Sequence, residues 1–94
     1  MTSKQRAKLR GLANTIDTIF QIGKGGVTDA LIKQVDDALT ARELVKLKVL
    51  ETAPESQRET AEILAEATNS EVVQVIGTKI VLFRINPKDN KIKI

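Results

Sequence analysis

Ninety-four residues, 41% of them hydrophobic and 29% charged, suit one globular domain with a single core and exclude a disordered chain or a second domain. The absence of cysteine and histidine excludes disulfides, thiolate metal sites and every catalytic arrangement built on imidazole. The formal charge of +3 hides a basic segment at each end and an acidic stretch, residues 51–71, between them.

The first predicted element is a helix from about Ser3 to Ala13, opened by Thr2 or Ser3 as N-cap. Leu9, Leu12, Ala13 and Ile16 recur at helical spacing, and Lys4, Arg6, Lys8 and Arg10 flank that stripe without a compensating acid. Such charges are often no more than a solvated helix face, but four cations in the first ten residues favour a phosphate-facing role. Gly11 costs the helix about 1 kcal/mol relative to alanine, so fraying is expected there.

Thr18–Ile22 is short and rich in β-formers and reads as the first strand. The glycine-rich stretch Gly23-Lys24-Gly25-Gly26 ends it, and Thr28 caps a second helix running to about Arg42. A loop of this kind can offer backbone N–H groups to a phosphate, with the following helix dipole and Lys24 adding positive charge. Taken alone, a G-x-x-G is more often a tight turn than a ligand site.

Leu44–Leu50 is the second strand, with Val45, Leu47 and Val49 on one face and Lys46 and Lys48 on the other. Those lysines mark a sheet surface open either to solvent or to a ligand. Ser56 and Glu59 form a capping box for a third helix, whose buried stripe is expected at Ala61, Ile63, Leu64 and Ala67, with Ala65 at its margin. Glu62 and Glu66 lie on its exposed side, a surface that repels phosphate and should face away from an anionic ligand. Val72–Ile76 and Ile80–Ile85 form a closing hairpin around Gly77, with Arg84 near its end. Residues 1–86 are therefore the domain, and residues 87–94 are expected to be a mobile tail.

The order α-β-α-β-α-β-β implies an α/β fold with a four-stranded mixed sheet, and the two crossover helices should cover one of its faces. Periodicity does not place the N-terminal helix. No apolar run approaches the roughly 20 residues of a membrane span, and no apolar signal-peptide core follows the basic N-terminus, so a cytoplasmic protein is expected.

Three blocks give the chain a family likeness. They are Thr2-Ser3-Lys4-Gln5 with Leu9-Arg10 and Ala13, then Gln21-Ile22-Gly23-Lys24-Gly25-Gly26, then Glu43-Leu44-Val45-Lys46-Leu47-Lys48-Val49. With Gly77 and Val81-Leu82-Phe83-Arg84, they make residues 2–85 resemble a bacterial stand-alone CRM domain of the YhbY-like RNA-binding family. The resemblance implies a fold similar to the C-terminal domain of translation initiation factor three. It also implies binding of structured RNA in precursors of the large ribosomal subunit, hence a part in ribosome maturation. Two positions depart from the family pattern: Asp17-Thr18 stands where proline is frequent before the first strand, and Ala41-Arg42 where histidine is frequent before the second.

Among rival readings, a KH domain places its G-x-x-G between two helices, whereas a β-type run precedes this one. An RRM needs stacking aromatics, and Phe20 and Phe83 are the only aromatics here. The Walker spacing is absent. A different class, a protein-interaction module docking a basic ribosomal protein through the acidic third helix, stays open. The expectation is a non-catalytic, monomeric RNA-binding protein without cofactor, metal, membrane or small-molecule substrate. The loop Gly23, Lys24, Gly25 and Gly26 and the cations Lys4, Arg6, Lys8 and Arg10 are its principal contacts, with Lys46, Lys48 and Arg84 as weaker candidates on the sheet.

Overall fold

The computed structural model describes residues 1–94. Helix α1 (Ser3–Ala13) is opened by a full capping box: the Gln5 N–H donates to Thr2 Oγ1 at 3.1 Å and the Thr2 N–H donates to Gln5 Oε1 at 2.9 Å. It continues unbroken through Gly11, where fraying was expected, because Leu9 and Ala13 on either side are both buried. Strand β1 is Phe20–Ile22, shorter than the β-propensity suggested.

Helix α2 (Asp29–Arg42) starts at Thr28, whose Oγ1 accepts from the Leu31 N–H. It stops where Glu43 turns left-handed, at φ 66°. Strand β2 is Leu44–Val49. Helix α3 (Gln57–Thr68) is capped by Ser56 and ends at left-handed Asn69. Strands β3 (Glu71–Ile76) and β4 (Lys79–Phe83) form the closing hairpin.

The sheet order is β1-β2-β4-β3. Strands β1 and β2 pair in parallel, and β4 runs antiparallel to both β2 and β3, so the sheet is mixed as the element order implied. A bulge between Val72 and Gln74 interrupts the β3–β4 ladder.

The sheet divides the apolar interior into two clusters rather than one core. On one face, Val45, Leu47 and Val49 of β2 and Ile80 and Leu82 of β4 meet Leu31, Val35 and Leu39 of α2 and Ala61 and Leu64 of α3. Both crossover helices therefore cover this face. On the other, Leu9 and Ala13 of α1 meet Leu44, Val73, Val81 and Phe83, which places the helix that periodicity could not. The buried stripe of α3 is Thr60, Ala61, Leu64 and Thr68; Ile63 and Ala67, expected inside, are exposed. Thr68 is accommodated because its hydroxyl donates to the Leu64 carbonyl at 2.7 Å.

The C-terminal segment is not the free tail expected of residues 87–94. The Glu43 carboxylate is fully buried, and four donors converge on it, one from Asn86 and three from residues 90–92. The Asn86 N–H and Asn90 Nδ2 reach Oε2 at 2.7 and 2.8 Å, and the Lys91 and Ile92 N–H groups each reach Oε1 at 2.7 Å. Burial alone would raise the Glu43 pKa, but these hydrogen bonds outweigh it and lower the pKa to about 2. An acid at the end of α2 thus fastens the last residues of the chain to the body.

Candidate nucleic-acid interface

The glycine-rich loop joins β1 to α2. Its turn is closed by the Gly26 N–H donating to the Gly23 carbonyl at 2.9 Å. Gly26 is left-handed, and a Cβ there would stand 2.9 Å from Pro54 Cγ, so the fold itself demands glycine at this position. Gly25 is different: a Cβ would have nothing within 4 Å, and its φ is not left-handed. Nothing in the surrounding fold therefore requires glycine at this position. Lys24 is exposed and forms no ion pair.

The alternation of β2 puts Lys46 and Lys48 on the α1 side of the sheet, opposite the helix-covered Val45, Leu47 and Val49. Lys46 reaches the end of α1, where its Nζ donates to the Ala13 carbonyl at 3.2 Å and satisfies one of the helix's terminal acceptors. Lys48 has no such partner. Beside it across the β2–β4 ladder lies Lys79, a cation absent from the sequence-derived contacts. Its parity with Val81 and Phe83 in the closing hairpin could have revealed it. On the other side of Lys48, Gln21 of β1 completes the row. Since α1 packs over Leu44, Val73, Val81 and Phe83, this row lies on the half of the face that α1 leaves open, toward the glycine loop.

The four cations of α1 divide between its two flanks. Arg6 and Arg10, four residues apart, share one; Lys4 and Lys8 share the other. Arg6 donates to the carbonyls of Val72 and Val73, so it is engaged within the fold. Lys8 donates to the Lys93 carbonyl, which identifies its flank as the one facing the C-terminal segment. Arg10 therefore stands on the flank toward Lys48 and Lys79, and it carries no ion pair. Lys4 is exposed on the far flank.

Arg84 does not belong to this surface. It shares parity with Leu82, so it projects to the opposite face of the sheet. There it donates to Asp36 Oδ1 at 2.6 Å, the Asp36 carbonyl at 2.9 Å, Thr40 Oγ1 at 2.8 Å and the Thr68 carbonyl at 2.6 Å. The guanidinium ties the end of β4 to both α2 and α3. The acids of α3 occupy that same opposite side, with Glu59, Glu62 and Glu66 all exposed.

The molecule is thus electrically two-sided. Lys24, Lys48, Lys79 and Arg10 lie on the α1 side and the loop end, where Glu55 beside Gly26 is the neighbouring acid, and Glu59, Glu62 and Glu66 line the other side. No helix is long and apolar enough to cross a membrane, and no group of three or more acidic side chains is placed to hold a metal ion.

Comparison with known proteins agrees with this architecture. A sequence profile described as the CRS1 / YhbY (CRM) domain matches residues 1–84. The chain is 43% identical over 94 residues to "Probable RNA-binding protein YqeI" of Bacillus subtilis, covering 100% of this chain and 98% of that protein. It is 41% identical over 86 residues to "Probable RNA-binding protein MJ0652" of Methanocaldococcus jannaschii, covering 89% of this chain and 63% of that longer protein. The solution structure of the hypothetical protein SAV1595 from Staphylococcus aureus superimposes with a TM-score of 0.83 at 50% identity, over 100% of this chain and 98% of that one. With a profile match over nearly its whole length and relatives this similar, the chain belongs to the CRS1 / YhbY (CRM) domain family.

Proposed function

We propose that this protein binds RNA without catalysing a reaction, and that its target is ribosomal RNA in precursors of the large subunit, where it assists maturation as a cytoplasmic monomer. The observation that carries this reading is the unpaired cationic surface of Lys24, Lys48, Lys79 and Arg10, set beside a loop whose Gly25 has no structural need to be glycine. Relatives named as RNA-binding proteins support the same ligand class.

In this reading the loop amides and Lys24 hold a phosphate, while Lys48, Lys79 and Arg10 follow the backbone away from it. Two phenylalanines, Phe20 packed against the helix-side core and Phe83 buried, leave no aromatic platform for stacking. Recognition then rests on RNA shape and charge.

The test is binding to a large-subunit ribosomal RNA transcript across a salt series. Affinity should fall steeply with salt, and Lys24→Ala should reduce the slope by about one unit and Lys48→Ala with Lys79→Ala by about two. Absence of binding at low salt by the folded protein would overturn the proposal.

One observation favours a second reading, in which α3 docks a basic protein partner: Ile63 is 39% exposed among Glu59, Glu62 and Glu66. Under that reading Ile63→Lys removes association with basic ribosomal proteins and leaves RNA binding intact.

A further inference from the structure

A cleft of about 360 Å³ opens at the end of the sheet away from the glycine loop. It exists because β1 is only three residues long. The register of β1 on β2 begins at Phe20 opposite Leu47, with one further bond from the Ile19 N–H to the Lys46 carbonyl at 2.9 Å, so nothing pairs with β2 below that point. The Arg84 N–H bonds the Glu43 carbonyl and the Val49 N–H bonds the Thr78 carbonyl, so the odd-numbered residues of β2 face β4. By that alternation the N–H and C=O of Leu44 point the other way, into the cleft, where no strand meets them. Leu12, Ile16 and Ile19 supply apolar walls.

The rim is cationic. Arg42, Lys46 and Lys91 line it against the single acid Asp17. Arg42 is exposed and free of any ion pair, whereas Lys46 is held by the Ala13 carbonyl and Lys91 by Asp89. Two helices, α1 and α2, end here with their negative dipole ends, so the interior does not suit a phosphate. Apolar walls, a free peptide edge and a cationic rim suit a flat heterocycle that enters while its phosphate stays outside. Lys46 also links the cleft to the proposed RNA surface, since Lys48 follows two residues along the same strand face and β2 measures about 17 Å end to end.

We infer that this cleft is a nucleobase site that takes one unpaired nucleotide of the bound RNA, with the base against Leu12, Ile16 and Ile19 and the phosphate on Arg42. The inference rests on the RNA-binding reading and adds to it a preference for RNA with an extruded base over continuous duplex.

Two measurements on the intact chain test it. In the first, nucleoside monophosphates are titrated into the isotopically labelled protein and amide shifts are followed. Saturable shifts at Ile16 and Ile19 are expected, abolished by Ala41→Trp, weakened by Arg42→Ala and untouched by Glu62→Gln on the far side of the sheet. Ala41 is exposed on α2, so the tryptophan fills the cleft from outside the core; Arg42→Ala serves should that variant not fold. In the second, an RNA hairpin with one bulged nucleotide is compared with its fully paired counterpart. The bulged form should bind about tenfold tighter, a difference of the size of one docked base, and both variants should narrow that gap. Salt-dependent RNA binding with no cleft shifts and no bulge preference would overturn the nucleobase site and leave the proposed function standing. Cleft shifts with free nucleotides, in a protein that binds no RNA, would support the site and sink the RNA-binding reading.

Discussion

Replacing Glu43 with glutamine should unfasten the C-terminal segment and destabilise the whole domain. The carboxylate offers two oxygens to four donors, and an amide keeps the shape but turns one acceptor into an NH2 group. Either the Asn86 N–H and Asn90 Nδ2, or the Lys91 and Ile92 N–H groups, then face a donor instead of an acceptor. The magnitude follows from linkage. A pKa lowered from 4.5 to about 2 corresponds to about 3 kcal/mol of stability carried by the ionised form. Because the folded value lies below the unfolded one, that stability is fully present above pH 4.5 and is lost as pH falls toward 2. The domain's total is on the order of 5–15 kcal/mol, so this one group is a substantial share. Denaturant unfolding between pH 7 and pH 2 measures it directly. The native protein should lose stability over that acid range, while Glu43→Gln should start about 3 kcal/mol lower, with a melting temperature reduced by about 15 °C, and show a flatter acid limb. Amide exchange at Lys91 and Ile92 should accelerate in the variant well below the global unfolding limit. If Glu43→Gln matches the native protein within about 0.5 kcal/mol at pH 7 and keeps its acid slope, the clasp has been misread.

The loop glycines should separate structure from ligand contact. Gly26→Ala places a Cβ against Pro54 at a left-handed position and should cost about 1–3 kcal/mol by denaturation, whereas Gly25→Ala should leave stability unchanged and weaken RNA binding. Arg84→Ala should lower stability by about 2 kcal/mol, because it strips partners from Asp36 and from the Thr68 carbonyl, yet leave the RNA affinity of the folded protein intact; a selective loss of binding would return Arg84 to the interface. Glu62→Gln with Glu66→Gln should not weaken RNA binding in a filter or fluorescence assay, since both acids lie across the sheet from Lys48 and Lys79; a large loss would contradict that placement.

Sequence periodicity carried the element order because each element is amphipathic at its own period and is bounded by a recognisable cap. Thr2, Thr28 and Ser56 all serve as the N-caps their positions suggested. What periodicity leaves open is which sheet face a helix chooses, and α1 is that case: its stripe of Leu9 and Ala13 fits either face, and α2 and α3 had to occupy one first. In α3 the stripe is rotated, because Thr60 and Thr68 accept burial that composition assigns to Ile63 and Ala67. The clasp on Glu43 was invisible for a different reason. An acid at a helix end looks like a solvated charge, and its four donors come from more than forty residues away in sequence.

The candidate site divides along the same line. Lys24, Lys46 and Lys48 are placed by local alternation and loop position and lie where the sequence suggested. Strand parity sends Arg84 to the helix side of the sheet and Lys79 to the open side. Among the α1 cations, only tertiary contacts distinguish Arg6 and Lys8, engaged by carbonyls, from Lys4 and Arg10.

The contact of Arg6 with the Val72 and Val73 carbonyls has a bearing on solubility. Strand β3 is the longer of the two outer strands, and an outer strand with idle carbonyls is a template on which another chain can add itself. The bulge at Val72–Gln74 bends that border and the guanidinium occupies two of its acceptors, so a second copy finds a bent rail with part of its oxygens taken. Helix α1 thereby does a guard's work at the border of the sheet. A cation that a charge map assigns to a ligand is engaged instead by the outer strand of its own sheet.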